Sequence, residues 1–250
     1  MPKFFITEYE LSVGNTAYIT GDDAKHIKKS LRMKPEEKLS ICDGCGKDYI
    51  ARINNLENDA VLVDVVAAEN KNGEPGIKVN IYTAITKGEG FEYALQKCIE
   101  AGVHSITPMN TERTVVQIPD SKIDRKYERW NRISFEAAKQ SGRSLIPQIA
   151  YPKDFSNAIE AVKPDDLSII CYVEEGTLTI KEIFQANEKA KNINIFIGPE
   201  GGFTESEWQI ATSKGIKSAT LGKRILRAET AGVFVTAAAM YEYGELDKKT

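Results

Sequence analysis

Residues 193–208 read Ile-Asn-Ile-Phe-Ile-Gly-Pro-Glu-Gly-Gly-Phe-Thr-Glu-Ser-Glu-Trp, and no other stretch restricts the fold as much. Ile193, Ile195, Phe196 and Ile197 form a short apolar run without charge, the pattern of a strand buried on both faces of a parallel sheet. Gly198, Gly201 and Gly202 then allow positive φ and a close backbone approach, while Pro199 has no N–H to offer. Thr204 with Glu207 three residues on makes a capping box, and Phe203 with Trp208 the accompanying hydrophobic staple, so a helix starts there. Strand, glycine turn and helix in this order predict an open α/β sheet. The turn would lie at the carboxyl end of a strand, where ligands of that architecture bind.

A second turn, Leu221-Gly222-Lys223-Arg224-Ile225-Leu226-Arg227-Ala228-Glu229-Thr230, follows a short strand expected over 218–221. Residues 231–243 then carry Val233, Phe234, Val235, Ala237, Ala238, Ala239, Met240 and Tyr241 in every direction of a helical wheel. Such a helix is expected to be buried on all sides, in a deep core or a subunit interface. Gly244 supplies its stop.

Upstream, the pattern divides. Short strands expected over 4–7, 17–19, 38–42, 48–53 and 60–66, with one helix over 22–33 capped by Asp22 or Gly21, describe a small β-barrel with a basic helix. Residues 69–76 are polar, contain Gly and Pro and have no periodicity, which places a domain boundary there and gives domains 1–72 and 73–250. Beyond it, strands over 77–85, 103–108 and 167–173 alternate with helices over 91–101, 120–142, 155–162 and 180–190, the signature of an α/β domain.

The net charge of −3 is a poor match to a nucleic-acid partner, yet it hides local order. Lys25, Lys28, Lys29 and Arg32 stand at i, i+3, i+4 and i+7, and no acid lies between Asp23 and Glu36. Lys122, Arg125, Lys126, Arg129 and Arg132 would likewise share a helical face, opposite Ile123, Tyr127, Trp130 and Ala137. Two such stripes on an otherwise acidic chain point to phosphate contacts. Cys42 and Cys45 bracket Asp43-Gly44, but no second CxxC exists and the two histidines stand singly, so a turn is expected there and no metal. No run of eighteen apolar residues is present, and residues 1–8 lack a signal-peptide layout. A cytoplasmic protein with no membrane partner is the expectation.

The strings IGPEGGFTESE and LGKRILRAETA, with their spacing, resemble the bacterial 16S ribosomal RNA uridine-N3 methyltransferases of the SPOUT class. So do FEYALQKCIEAGVHSITPMNTERTVV, RWNRISFEAAKQSGR and KHIKKSLRMKPEEKLSICDG, which together extend the resemblance over nearly the whole chain. Residues 86–90, Lys139 and 35–37 depart from the family pattern; Pro35-Glu36-Glu37 stands where a Gly-Asp turn is more usual.

The resemblance implies an N-terminal PUA-like RNA-binding barrel and a C-terminal α/β domain whose chain threads a trefoil knot, a topology that pattern alone never licenses. It implies S-adenosylmethionine as cofactor, held by Gly198, Pro199, Glu200, Gly201, Gly202, Leu221, Gly222, Ile225 and Leu226, with Leu221, Ile225 and Leu226 walling the adenine. Its substrate would be 16S ribosomal RNA or the small ribosomal subunit, and its assembly a homodimer. N3 loses a proton as it is methylated, so Arg227, then Arg224, are the candidates to stabilise the charge that spreads over the uracil oxygens. Glu200 and Glu229 are the candidate bases, and Glu229 could instead serve the N-terminus of the last helix. N3 is hidden in any base pair, so the target must be unpaired or flipped out. Lys25, Lys28, Lys29, Arg32, Arg113, Arg132 and Arg143 would hold its phosphates.

Two other readings compete. A nucleotide-hydrolase phosphate loop at 198–202 lacks the lysine and hydroxyl of that motif. A non-catalytic RNA-binding ribosome-assembly factor would explain the basic stripes but not the two ligand-shaped turns.

Overall fold

The computed structural model describes residues 1–7, 10–69, 73–173 and 177–247. They form two compact units, Met1–Glu74 with Ala138–Ile146, and Pro75–Ala137 with Pro147–Thr250. Of residues 69–76, where the sequence boundary was expected, 70–72 lie outside the described residues. The return of 138–146 to the first unit has no counterpart in that division.

The first unit is a five-stranded sheet. Its strands are β1 (Lys3–Phe5), β2 (Thr16–Thr20), β3 (Lys38–Cys42), β4 (Asp48–Leu56) and β5 (Ala60–Glu69), in the order β1-β3-β4-β5-β2. Alternation builds it: Ala17 and Ile19 of β2, Tyr49, Ala51 and Ile53 of β4, and Val61, Val63 and Val65 of β5 all turn into one core. The helix expected over 22–33 is shorter. α1 (Gly21–Lys25) passes directly into a π-helical turn, His26–Ser30, and Leu31 N–H donates to the His26 carbonyl at 2.9 Å. That wider turn accompanies full burial of Ile27, and Arg32 then takes a left-handed φ of 52°.

The second unit is a parallel sheet with helices. β6 (Lys78–Ala84), α2 (Gly90–Glu100), β7 (Ser105–Asn110) and α3 (Asp120–Gln140) lead to β8 (Gln148–Ile149), β9 (Lys153–Asp154) and α4 (Phe155–Glu160). β10 (Leu167–Cys171), β11 (Leu178–Thr179), α5 (Ile180–Gln185), β12 (Asn192–Ile197), α6 (Glu205–Ser213), β13 (Lys217–Thr220) and α7 (Ala228–Glu242) complete it. The order is β11-β13-β10-β12-β6-β7-β8, with β9 also on β7 and each pairing parallel. β12 is therefore central, and every side chain from Ile193 to Ile197 is buried. One rung is polar: Asn194 pairs in register with Ser168 and Asn80, and Asn80 with Ser105. Asn194 donates to Ser168 Oγ, Asn80 donates to Asn194 Oδ1, and Ser105 donates to Asn80 Oδ1. Misalignment of any strand by one residue would strand these buried and half-buried groups, so the rung fixes register.

Within the chain, α7 is buried on one face only. Ala231, Gly232, Val235, Thr236, Ala239 and Met240 are buried, and a Cβ on Gly232 would lie 2.9 Å from Cys98 Sγ of α2. The opposite face, with Phe234, Ala237 and Tyr241, is exposed, Tyr241 at 75%. The helix is apolar all round but covered on one side within the chain.

Candidate active site

Because the sheet is parallel, the turns after β12 and β13 both leave its carboxyl edge. The first turn closes on itself. A Cβ on Gly198 would lie 3.1 Å from Gly202 C and Phe203 N, tighter than ordinary contact with backbone atoms, so any larger residue requires the turn to give by some tenths of an ångström. Gly202 has a φ of 68° and its N–H donates to the Pro199 carbonyl at 2.8 Å. Of the three glycines expected at positive φ, Gly202 alone adopts it, and Gly198 serves close approach instead. The helix side is pinned as expected: Glu207 Oε2 accepts from Thr204 N–H at 2.8 Å and Thr204 Oγ1 accepts from Glu207 N–H at 3.3 Å. Phe203 is buried in a cluster that Trp208 packs against, while Glu200 is exposed.

In the second turn, Gly222 has a φ of 107° and no atom within 4 Å of an added Cβ, so its need is conformational. Its N–H donates to Thr220 Oγ1 at 3.2 Å. Leu221 and Leu226 are half-buried, whereas Ile225 is fully exposed. Arg224 is exposed. Arg227 is the N-cap residue of α7, and its carbonyl accepts from Thr230 and Ala231. Its guanidinium is 85% exposed and 3.9 Å from the Glu229 carboxylate. Such a pair is worth little and leaves the cation available to another anion. Glu229 is itself mostly buried, its carboxyl 3.9 Å from where a Cβ on Gly90 would sit.

The residues expected on phosphates behave less uniformly. In the first unit, the π-turn and the left-handed Arg32 replace the α-helical spacing from which the stripe of Lys25, Lys28, Lys29 and Arg32 was expected. Lys25 pairs with Asp22 at 2.9 Å, and Lys28 Nζ donates to the carbonyls of Glu57 and Asn58, tying the turn between β4 and β5. Lys29 and Arg32 remain exposed. Arg143 is not a surface cation. It is 6% exposed, and its Nη2 donates to Glu74 Oε2 at 2.7 Å. Glu74 Oε1 also accepts from Ser144 N–H at 2.7 Å and Leu145 N–H at 3.0 Å. Burial would raise the Glu74 carboxyl, but the Arg143 hydrogen bond and charge, with these two amides, outweigh it and hold it below the ordinary range. In the second unit, Trp130 and Ala137 of α3 are buried as expected. Lys126 and Arg129 pair with Glu92, and Lys122, Arg125 and Arg132 are exposed. Arg113 points at the first glycine turn, where Nη1 donates to the carbonyls of Gly201 and Phe203.

Among the described residues, no group of three or more His, Cys, Asp or Glu comes together as a metal site. Asp43 Oδ1 accepts from the N–H groups of Cys45 and Lys47, and Gly44 has a φ of 74°, so the Cys42 to Cys45 stretch is a side-chain-supported turn. Burial pushes the Cys98 thiol up to about 12, which keeps it neutral. No described helix is long and apolar enough to cross a membrane.

Comparison with known proteins settles the family. Residues 73–240 match the RNA methyltransferase domain and residues 19–66 the RNA methyltransferase PUA domain. The chain belongs to this RNA methyltransferase family. It is 32% identical over 248 residues to the ribosomal RNA small subunit methyltransferase E of Bacillus subtilis, covering 97% of each chain. The enzyme of that name from Mesomycoplasma hyopneumoniae is 34% identical over 235 residues, 94% of this chain and 97% of its own. A crystal structure of the Neisseria gonorrhoeae enzyme, bound to S-adenosyl methionine, matches with a TM-score of 0.83 and 30% identity, over 96% of this chain and 97% of that one. The family thus carries the expected fold class, a SPOUT-type α/β methyltransferase domain with a PUA-like domain before it.

Proposed function

We propose that this protein transfers a methyl group from S-adenosylmethionine to N3 of a specific uridine in 16S ribosomal RNA of the small ribosomal subunit. The observation that carries the reading is the pair of glycine turns at the carboxyl edge of one parallel sheet. Gly198 is closed against its own turn, Gly222 is held at a φ only glycine adopts readily, and Arg227 stands exposed at the end of the second turn. In a family whose Neisseria gonorrhoeae member was crystallised with S-adenosyl methionine, these turns fit the donor. The donor supplies an electrophilic methyl on a cationic sulfur. Residues 198–202 would hold it by backbone groups, and 221–226 would surround its adenine.

Arg227 stabilises the negative charge that develops on the uracil oxygens as N3 loses its proton, with Arg224 as the second cation. Glu200, exposed on the first turn, is the proposed acceptor of that proton, with Glu229 the other candidate. Much of the rate comes from orientation of the base against the donor. Residues 1–72 serve as the RNA-binding domain and 73–250 as the methyltransferase domain, with the C-terminal segment knotted. Lys29 and Arg32 in the first, and Arg132 in the second, contact phosphate, so affinity for RNA falls steeply with salt. The apolar outer face of α7 supports a homodimer, and a ribosomal substrate supports a cytoplasmic location.

The test is transfer of labelled methyl from the donor to small subunits and to naked 16S ribosomal RNA. Label in either supports the reading. A folded protein that binds RNA but neither binds the donor nor transfers label is an RNA-binding assembly factor instead.

A further inference from the structure

Residues 111–114, at the exit of β7, form a turn closed on itself: Thr114 N–H donates to the Thr111 carbonyl at 3.0 Å and Thr111 N–H to Thr114 Oγ1 at 2.9 Å. This turn presents Glu112 and Arg113 to the first glycine turn. Arg113 Nη1 donates to the carbonyls of Gly201 at 2.8 Å and Phe203 at 3.3 Å, and its stem lies 3.5 Å from where a Cβ on Gly201 would sit. Glu112 N–H donates to Glu207 Oε1 at 2.9 Å, the other oxygen of that carboxylate being the one that caps Thr204 N–H. Thr204 Oγ1 in turn donates to Glu112 Oε2 at 3.0 Å. Beneath these contacts, Met109 and Phe203 share one core cluster.

We propose that Arg113 is a positioning residue, and that Glu112, Arg113 and Glu207 form a clasp that fixes residues 198–203 in the conformation that receives the donor. The inference rests on the reading of that turn as a donor site. A glycine-rich turn has more conformational freedom to lose than any other, and ordering it in advance removes that cost from binding. A guanidinium suits the task because its donors are held in a rigid plane, and a charged donor strengthens each bond to a carbonyl. These two carbonyls occupy Nη1, while Nε and Nη2 remain as donors. Arg113 is assigned to the turn and not to RNA, and the salt dependence of RNA binding separates the two roles.

Four readouts on Arg113→Ala and Arg113→Lys, in the full chain, decide the matter. Donor affinity by calorimetry is expected to fall about tenfold in the alanine variant, the scale of one lost charge-assisted hydrogen bond, and to recover in part with lysine. Turnover at saturating donor stays close to wild type. Without donor, amide hydrogen exchange at Gly202 and Thr204 speeds up, since both amides are bonded within the clasped turn. The slope of RNA affinity against salt stays unchanged. Unaltered donor affinity and exchange in a folded alanine variant would overturn the clasp, and so would a slope reduced by about one, which marks a phosphate contact. Should alanine prevent folding, the lysine variant decides on the same readouts: wild-type exchange with wild-type donor affinity overturns the proposal; weaker donor binding with faster exchange supports it. Failure of the wild type to bind donor would sink the functional reading instead, and the exchange comparison would still judge the clasp.

Discussion

Gly198→Ala tests the first turn where it is tightest. The new methyl would sit 3.1 Å from Gly202 C and Phe203 N and 3.3 Å from Gly202 Cα, all backbone atoms of the same turn. Ordinary contact begins some tenths of an ångström further out, so residues 198–203 must open. Yet Phe203 is buried in the core and Glu207 caps Thr204, so the far side of the turn resists. Overpacking of this kind costs about 1–3 kcal/mol. For a domain of this size each kcal/mol lowers Tm by about 2–4 °C, so a fall of about 4–8 °C is expected for a mid-range cost.

Gly215→Ala is the control. Gly215 has a φ of 81° with open space around it, beyond α6 and away from both turns. It should lose about 1–2 kcal/mol to left-handed strain and keep its donor affinity. Calorimetry on both variants with S-adenosylmethionine, beside thermal melts, separates the effects. Gly198→Ala should lose donor affinity by at least tenfold while Gly215→Ala does not. Wild-type affinity in Gly198→Ala would refute the view that this turn is a preformed cradle.

Further expectations follow from other sites. Arg227→Ala should lower kcat by about 10²-fold or more and leave donor affinity nearly unchanged, as removal of a group that acts on developing charge does; equal loss in both would make Arg227 a binding or structural residue. Glu74→Gln leaves Arg143 charged and buried, which costs about 3–5 kcal/mol at neutral pH, read by denaturant titration. Because the folded Glu74 carboxyl titrates below its ordinary 4.5, its contribution is present above that pH and lost as pH falls through the folded value; the variant should therefore have a flatter acid limb. Glu36 adopts a φ of 73° at the third position of a turn closed by Glu37 N–H on the Lys34 carbonyl, a place that favours glycine. Glu36→Gly should stabilise by about 1 kcal/mol in thermal melts, less whatever its exposed ion pair with Arg52 contributes. Phe234→Glu on the outer face of α7 should shift sedimentation from dimer to monomer, and a wild-type monomer would remove the dimer.

What the sequence disclosed was mostly local. The capping box of Thr204 and Glu207 is an i, i+3 signal, and the structure has it in both directions. The buried strand at β12 and the alternating strands of the first unit follow from periodicities of one element each. The unseen parts depend on residues far apart in the chain. The π-turn at His26–Ser30 goes with the burial of Ile27, and no local pattern announces it. Arg143 reads as a loop cation until Glu74, 69 residues away, neutralises it. Arg113 reads as a phosphate ligand, and nothing local announces its hydrogen bond to the Gly201 carbonyl 88 residues on. Strands β8, β9 and β11 have two residues each, too short for any period. α7 was legible as apolar, but which side its own chain covers depends on packing against α2 and β6.

Nucleoside analysis of 16S ribosomal RNA after incubation with the purified protein and isotopically labelled S-adenosylmethionine tests the central claim most directly. The account predicts label in 3-methyluridine at one position, where reverse transcription stops because the pairing edge is blocked. Label in a different nucleoside or on a ribose would contradict the N3 chemistry, and a folded, donor-binding protein that labels nothing in small subunits or naked RNA would contradict the assignment of substrate.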